Sequence, residues 1–406
     1  MSASPNDFTP EAGSRPQRIE FVREDSRGIT PSDPDWSTYS DHIINWWDWE
    51  PDANKSEEQP AGGMDPDFTA PGSETHEATI SYWLQQWFLD GSGNAQDAAA
   101  DAMLLSDDNS FNNTHSVVSR MEVSSGGADG AGYRVYHVGR GGCPTEVTLP
   151  FEVDDGTPVT PELSYQFEKF RTFRIDQPSS GTTLEVTNNG SSEVDVDIED
   201  EGASTSETLT VGAGATETTL ETYSDIDAVE LSTDVDGTVE VTDGSGTTFV
   251  TITGSDEYTT EGDLGVPTLG SGSHASAIDS DYIVFNDDDY AYDTDEIAAE
   301  IISGELNVSL EVEDNAVVGT SRRNIHPTGR RCTWTAEVTG EAPSVAQVSD
   351  YLTAASFDIV WDAGSDGSIT GPNAEHFSPG SSDFETGSGK NERSLEWQSS
   401  GIDISN

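Results

Sequence analysis

Four stretches between residues 183 and 242 alternate apolar and polar side chains with a period of two: Thr183-Leu184-Glu185-Val186-Thr187, Val194-Asp195-Val196-Asp197-Ile198, Thr208-Leu209-Thr210-Val211 and Thr238-Val239-Glu240-Val241-Thr242. That period places the apolar side chains on one face of an extended strand and makes no helical stripe, so these runs can bury their apolar residues only as half-covered sheet. Asn188-Asn189-Gly190, Gly212-Ala213-Gly214 and Asp243-Gly244 separate them. These residues tolerate left-handed backbone and supply the turns between strands.

Charge sets the second constraint. The 406 residues hold 77 Asp and Glu against 17 Lys and Arg, a formal charge of -60. Low hydrophobicity with such a charge is a mark of disorder, but nine Trp, fourteen Phe and eleven Tyr set in alternating runs indicate folded sheet. Molar salt reconciles the two, because it shortens the Debye length to about 3 Å and silences repulsion between surface carboxylates. Only Lys55, Lys169 and Lys390 are lysines, so long ammonium stems are avoided and compact acids cover the surface. A salt-in halophilic host is the expectation.

The same composition excludes function classes. Binding nucleic acid through a basic face needs Lys and Arg that this surface does not offer. The chain holds no run of eighteen apolar residues, and residues 1–18 contain no apolar core of a signal peptide, so neither a membrane-spanning helix nor signal-directed export is expected. Cys143 and Cys332 fit no zinc spacing. One long-range disulfide and two separate buried thiols both remain open, with buried thiols the expectation.

Composition shifts divide the chain into a flexible arm (1–18), a first domain (19–170), a Thr-rich middle domain without Trp (171–260), a Gly/Ser/Thr-rich linker (261–280) and a last domain (281–406). Strand spacing in the middle domain predicts a small sandwich, read as immunoglobulin-like. Without large aromatic anchors for an interface, it is expected to decorate the outside of any assembly and to be removable. The flanking domains share an order of elements. In the first, a strand over 43–49 enters a polar loop, followed by a strand over 78–88, a helix over 94–105 and a strand over 116–123. In the last, the counterparts are strands over 305–312 and 332–338, a helix over 343–352 and a strand over 357–361. Ala95, Ala98, Ala99, Ala102 and Met103 make one apolar helical stripe, and Val345, Val348, Tyr351 and Leu352 the other. Trp47, Trp49, Glu50 and Asn54 take the places of Val308, Leu310, Glu311 and Asn315 in this reading, which suggests an internal duplication.

Catalytic signatures fail on named residues. His76-Glu77-Ala78-Thr79-Ile80 begins like a zinc-protease helix but has Ile80 where the second histidine belongs. Gly139-Arg140-Gly141-Gly142 lacks the Lys-Ser/Thr of a phosphate loop and reads as a tight turn between strands over 133–138 and 146–153. The acidic run 286–296 has the hard oxygens that calcium prefers but not the glycine and spacing of an EF-hand, and it reads as a solvated charge run. Among 77 acids, no carboxylate pair stands out for glycosidase chemistry. The reading is of a protein that is not an enzyme and uses no cofactor or metal.

Residues 300–315 (EIISGELNVSLEVEDN), Gly319 and residues 327–338 (PTGRRCTWTAEV) resemble the tail tube proteins of long-tailed viruses of bacteria and archaea, in that family's hairpin with its protruding loop. Residues 24–31 (EDSRGITP) are similar to the opening of longer members. The resemblance implies two tail-tube-type β-barrel or sandwich domains, each with a short helix, flanking the immunoglobulin-like insertion. It also implies a virion protein that self-assembles as rings around a channel for DNA, contacts other tail proteins and leaves membranes alone. An acidic lumen would let DNA pass without binding it. Arg322, Arg323, Arg330 and Arg331 flank the loop and are candidate contacts to carboxylates of an adjacent subunit. Duplication would make three chains, in preference to six, sufficient for a ring. The alternatives are a distal tail or tail terminator protein, and a halophilic surface binding protein with sandwich modules.

Overall fold

The structure is a computed structural model that describes residues 18–24, 27–31, 43–52, 57–58, 67–68, 75–84, 87–89, 92–93, 95, 98–104, 114–152, 159–201, 204–231, 235–254, 264–267, 290–292, 300–316, 323–339, 356–362, 367–378 and 392–405. These residues include twenty-four strands and one short helix. The first flank comprises β1 (Arg18–Arg23), β2 (Ile43–Asp52), β3 (Glu57–Glu58), β4 (Asp67–Phe68), β5 (Thr75–Trp83), α1 (Ala98–Leu104), β6 (His115–Val123), β7 (Tyr133–Glu152), β8 (Glu162–Phe167) and β9 (Lys169–Asp176). The middle comprises β10 (Leu184–Asn188), β11 (Val194–Glu199), β12 (Ser206–Val211), β13 (Thr216–Thr218), β14 (Ala228–Leu231), β15 (Thr238–Asp243), β16 (Thr248–Thr253) and β17 (Leu264–Val266). The last flank comprises β18 (Tyr290–Tyr292), β19 (Glu300–Ala316), β20 (Arg323–Thr339), β21 (Ser356–Asp362), β22 (Ser368–Ser378), β23 (Glu392–Ser399) and β24 (Asp403–Ser405).

In the middle, the alternating runs form two antiparallel four-stranded sheets, in the orders β13-β10-β15-β16 and β12-β11-β14-β17. Their inward residues Leu184, Val186, Val196, Ile198, Val239 and Val241 are fully buried. β17 pairs with β14, so residues 264–266 of the stretch read as a linker are an edge strand that covers the rim of this sandwich. The sandwich also shares one continuous core with Val22, Val118, Tyr136, Val138, Phe173 and Ile175 of the first flank. It is therefore seated on an apolar face of the body, in contrast to the removable decoration expected from its composition.

The two flanks build one 14-stranded sheet from two units of seven strands each. In the first unit β1 pairs with β6, β2 with β5, β5 with β8, β8 with β7, β7 with β6 and β7 with β9. In the second, β18 pairs with β21, β19 with β20, β20 with β23, β23 with β22, β22 with β21 and β22 with β24. The patterns correspond strand for strand, and all the pairings are antiparallel. β7 and β19 join the units, from Ser303 opposite Glu152 to Ser309 opposite Glu146. The registers revise the residue equivalences drawn from sequence. Trp49 pairs with Ala78 and Ala78 with Tyr165, whereas Leu306 pairs with Trp334 and Trp334 with Trp397, so Trp49 matches Leu306. The sequence match used the point where each strand meets its loop, and β19 runs farther past the common sheet than β2 does.

Residues 139–142 are not a tight turn. They lie inside the 20-residue β7, at the point where this strand leaves β6 and β9 and takes β8 and β19 as partners. Bending one strand between two layers needs left-handed backbone and close approach: Gly141 has φ 63°, and a Cβ on Gly139 would lie 2.5 Å from the Phe167 ring. α1 is shorter than its alanine pattern suggested, and Ala98, Ala99, Ala100, Ala102 and Met103 are all fully buried. Small side chains let the helix settle closely against the sheet on more than one side. The helix expected over 343–352 lies outside the described residues.

Candidate functional site

The joined sheet has two chemically different faces. Directly paired residues Ile80, Leu163, Val147, Val308 and Cys332 form one row across β5, β8, β7, β19 and β20, each at most 2% exposed. The neighbouring row points the other way by the pleat. It consists of Ser81, Glu162, Thr148, Asn307, Thr333 and Gln398, again directly paired from β5 to β23, with Ser81 buried at its β5 end and the other five exposed or half-exposed. Glu77, Glu146, Glu305, Glu337 and Glu396 share this face, and all five are exposed or half-exposed. The first face closes the core, and the second is a continuous acidic, hydroxyl-rich surface crossing the junction between the units.

Short polar contacts order this surface. Asn307 donates from Nδ2 to Glu146 and, at 3.1 Å, to Thr148 Oγ1. Thr79 and Ser164 hydroxyls lie 3.1 Å apart, and Ser303 donates to Glu337 at 3.3 Å. Partial burial, and then the charges of Glu146 and Glu162, push the Glu305 carboxyl above its ordinary range. Crowded like charge of this kind repels anions and is relieved by salt.

Of the four arginines singled out from sequence, Arg330 and Arg331 are described with their side chains and lie on opposite faces of β20. Arg322 lies outside the described residues, and Arg323 opens β20 opposite Ala316, with its side chain undescribed. Arg331 is exposed opposite Ser309. Arg330 turns to the other face and donates from Nη1 to the Met103 carbonyl at 3.0 Å, closing the C-terminal turn of α1 within its own chain. Eight residues of strand separate Arg323 from Arg331, about 26 Å. Of the acidic run 286–296 only Tyr290–Tyr292 is described, as edge strand β18, so its carboxylates lie outside the described residues. His76–Ile80 lies on β5, and extended backbone cannot present a zinc-protease helix. Cys143 and Cys332 are both buried.

Sequence reasoning missed three buried polar networks. Asp227, 3% exposed, accepts from Arg120 Nη1 at 2.9 Å, Arg134 Nη1 at 3.0 Å and Tyr136 Oη at 2.7 Å. Glu201 accepts from the same two arginines at 3.1 and 2.8 Å. Burial opposes the charge on Arg120, but Asp227 and its neighbours outweigh it and hold the guanidinium firmly protonated. This network clamps the sandwich onto β6 and β7. In the second, Glu24 accepts from Gly28 N, Ser116 Oγ, Gly141 N and the Thr114 hydroxyl, while Arg27 pairs with Glu168 at 2.6 Å. That cluster fastens Glu24 and residues 27–31 over the bend in β7. In the third, Tyr165 Oη lies 3.0 Å from His115 Nδ1, and His115 Nε2 lies 2.6 Å from Asp101 Oδ2. All three side chains are buried, so this chain of contacts fastens α1 to β6 and β8. Single acids, arginines and a lone histidine at scattered positions carry no sequence signal for such contacts.

No family model matches the chain, and comparison with curated proteins finds no match.

Proposed function

We propose that the protein is a structural subunit of a viral tail tube that works in molar salt, stacking as rings around a channel through which DNA passes. The observation that supports it most is the two-faced sheet, which buries one side in the core and presents an unbroken acidic surface on the other. A channel lining needs such a surface, because an acidic wall repels phosphates and keeps the polymer moving. The matched units correspond to two tube domains in this reading, so three chains complete a ring of six domains. The middle sandwich serves as an immunoglobulin-like accessory domain on the outer side, and the exposed Arg331 is available for a contact to a neighbouring ring.

Electron microscopy of the purified full-length protein in molar potassium chloride tests the reading. Hollow tubes that fall apart in low salt are the expected result, because carboxylate repulsion returns as screening is removed. Monodisperse single chains at high salt would overturn it. Isolated rings that never stack would favour a distal tail or terminator protein.

A further inference from the structure

Among the described residues the two units match in every pairing but one. β19 is paired on both sides, by β20 and by β7. Its counterpart β2 is paired by β5 alone among the described residues. Likewise β7 carries β19 beyond its bend, while its counterpart β22, described as far as Ser378, carries no equivalent strand among the described residues. The absent pairing would join β22 to a strand equivalent to β19. The strand that qualifies is β2, which lies at the far end of the sheet path in the same chain.

We infer that the edge of β2 left open among the described residues pairs antiparallel, in one copy, with the end of β22 at Ser378 in a second copy, placing between chains the Glu146–Ser309 contact of the β7–β19 junction found within each. This deepens the self-assembly reading above and rests on it for a second copy being the occupant. The contact is heterologous, since it uses two different edges, so it adds copies head to tail until the rotation closes a ring. It also accounts for the edge that β2 leaves unpaired among the described residues, which a β protein that stays single would cover or blunt.

Three marks fix the register. Left-handed residues stand at Gly141 and Asn373. Bulges follow them between Pro144 and Glu146 on β7 and between His376 and Ser378 on β22. A further matching pair of bulges lies between Ile44 and Trp46 on β2 and between Ile301 and Ser303 on β19. Counting from these marks, Ser378 takes the place of Glu146 and Asp52 that of Ser309. Ser309 faces Glu146 within the chain, so Asp52 of one copy faces Ser378 of the next.

The test is a disulfide between those positions. Directly opposed residues on antiparallel strands have Cα atoms about 4.5–5.5 Å apart, within the range of about 4.4–6.8 Å that a disulfide spans. Full-length protein carrying Asp52→Cys and Ser378→Cys, oxidised in molar salt, is expected to give a ladder of dimers, trimers and higher species that collapses on reduction. On a non-reducing denaturing gel each single variant is expected to run as monomer. Monomer alone, an internal link without added mass, or dimers from a single variant would overturn the proposal. Hydrogen exchange on the unmodified chain gives a second readout: β2 amides should gain protection on concentration in molar salt, and unchanged exchange would likewise overturn it. The tube reading fails separately. A ladder without tubes under the microscope removes the tube and leaves the interface, and tubes without a ladder do the reverse.

Discussion

Gly141 and Asn373 occupy the same place in two matched strands, and both take left-handed backbone, with φ of 63° and 50°. Register fixes the match. β6 passes from His115 opposite Gly142 to Val117 opposite Gly139, and β21 passes from Phe357 opposite Ala374 to Ile359 opposite Gly371. In each unit the bend lets one strand serve two layers. The local supports differ: the Gly141 amide donates to Glu24 Oε1 at 2.8 Å, and the Asn373 amide to Asp358 Oδ1 at 3.0 Å.

The bend should be intolerant at Gly141 and tolerant at Asn373. A Cβ at Gly141 would stand 2.8 Å from Glu168 Cβ as well as in a left-handed conformation. Gly141→Ala is expected to lose about 2 kcal/mol or more. Asn373→Gly should stay within about 0.5 kcal/mol of the parent. Denaturant unfolding in molar salt measures both, and equal stability of Gly141→Ala with the parent would contradict the assignment.

Removing the Asp227 carboxylate leaves the buried Arg120 with Glu201, and Arg134 with Glu201 and the more distant Asp225 at 4.0 Å. Asp227→Ala should therefore cost about 3–5 kcal/mol, as breaking one side of a buried ion pair does. Excising the sandwich, which exposes the apolar face around Val118, Tyr136 and Phe173, should yield aggregating protein. A soluble, folded deletion variant would show that this face is dispensable.

Glu305 should give a pH-dependent signature. Its folded carboxyl titrates above its unfolded one, by burial and then by the charges of Glu146 and Glu162. The folded state thus holds the proton more tightly, and ionisation opposes folding as pH rises through that window. Glu305→Gln is expected to melt higher than the parent at neutral pH, with the difference vanishing once pH falls below the ordinary Glu range. A difference that is constant with pH would rule out this origin.

Neither thiol should react in the folded chain. Burial pushes Cys143 up to about 12, and Cys143 and Cys332 are 1% and 2% exposed. Thiol titration at pH 8 should find no reactive group in molar salt and two after unfolding. Fast labelling of the native protein would show that the core opens.

Residues such as Leu184, Val186, Val239 and Val241 announce their strands, because a period of two leaves no other way to bury them, and the excess of carboxylates marks a surface made for salt. The repeated order of elements around the middle was legible for the same local reason. Which strand neighbours which was not, since pairing depends on partners far apart in sequence: Glu146 and Ser309 meet only because β7 bends at Gly141. The sequence around that glycine reads equally well as a turn, and only the packing of Glu24, Phe167 and Glu168 against it makes it the interior of one strand. Arg120, Arg134 and Asp227 look like three more surface charges until folding removes them from water and makes each the partner that the others require.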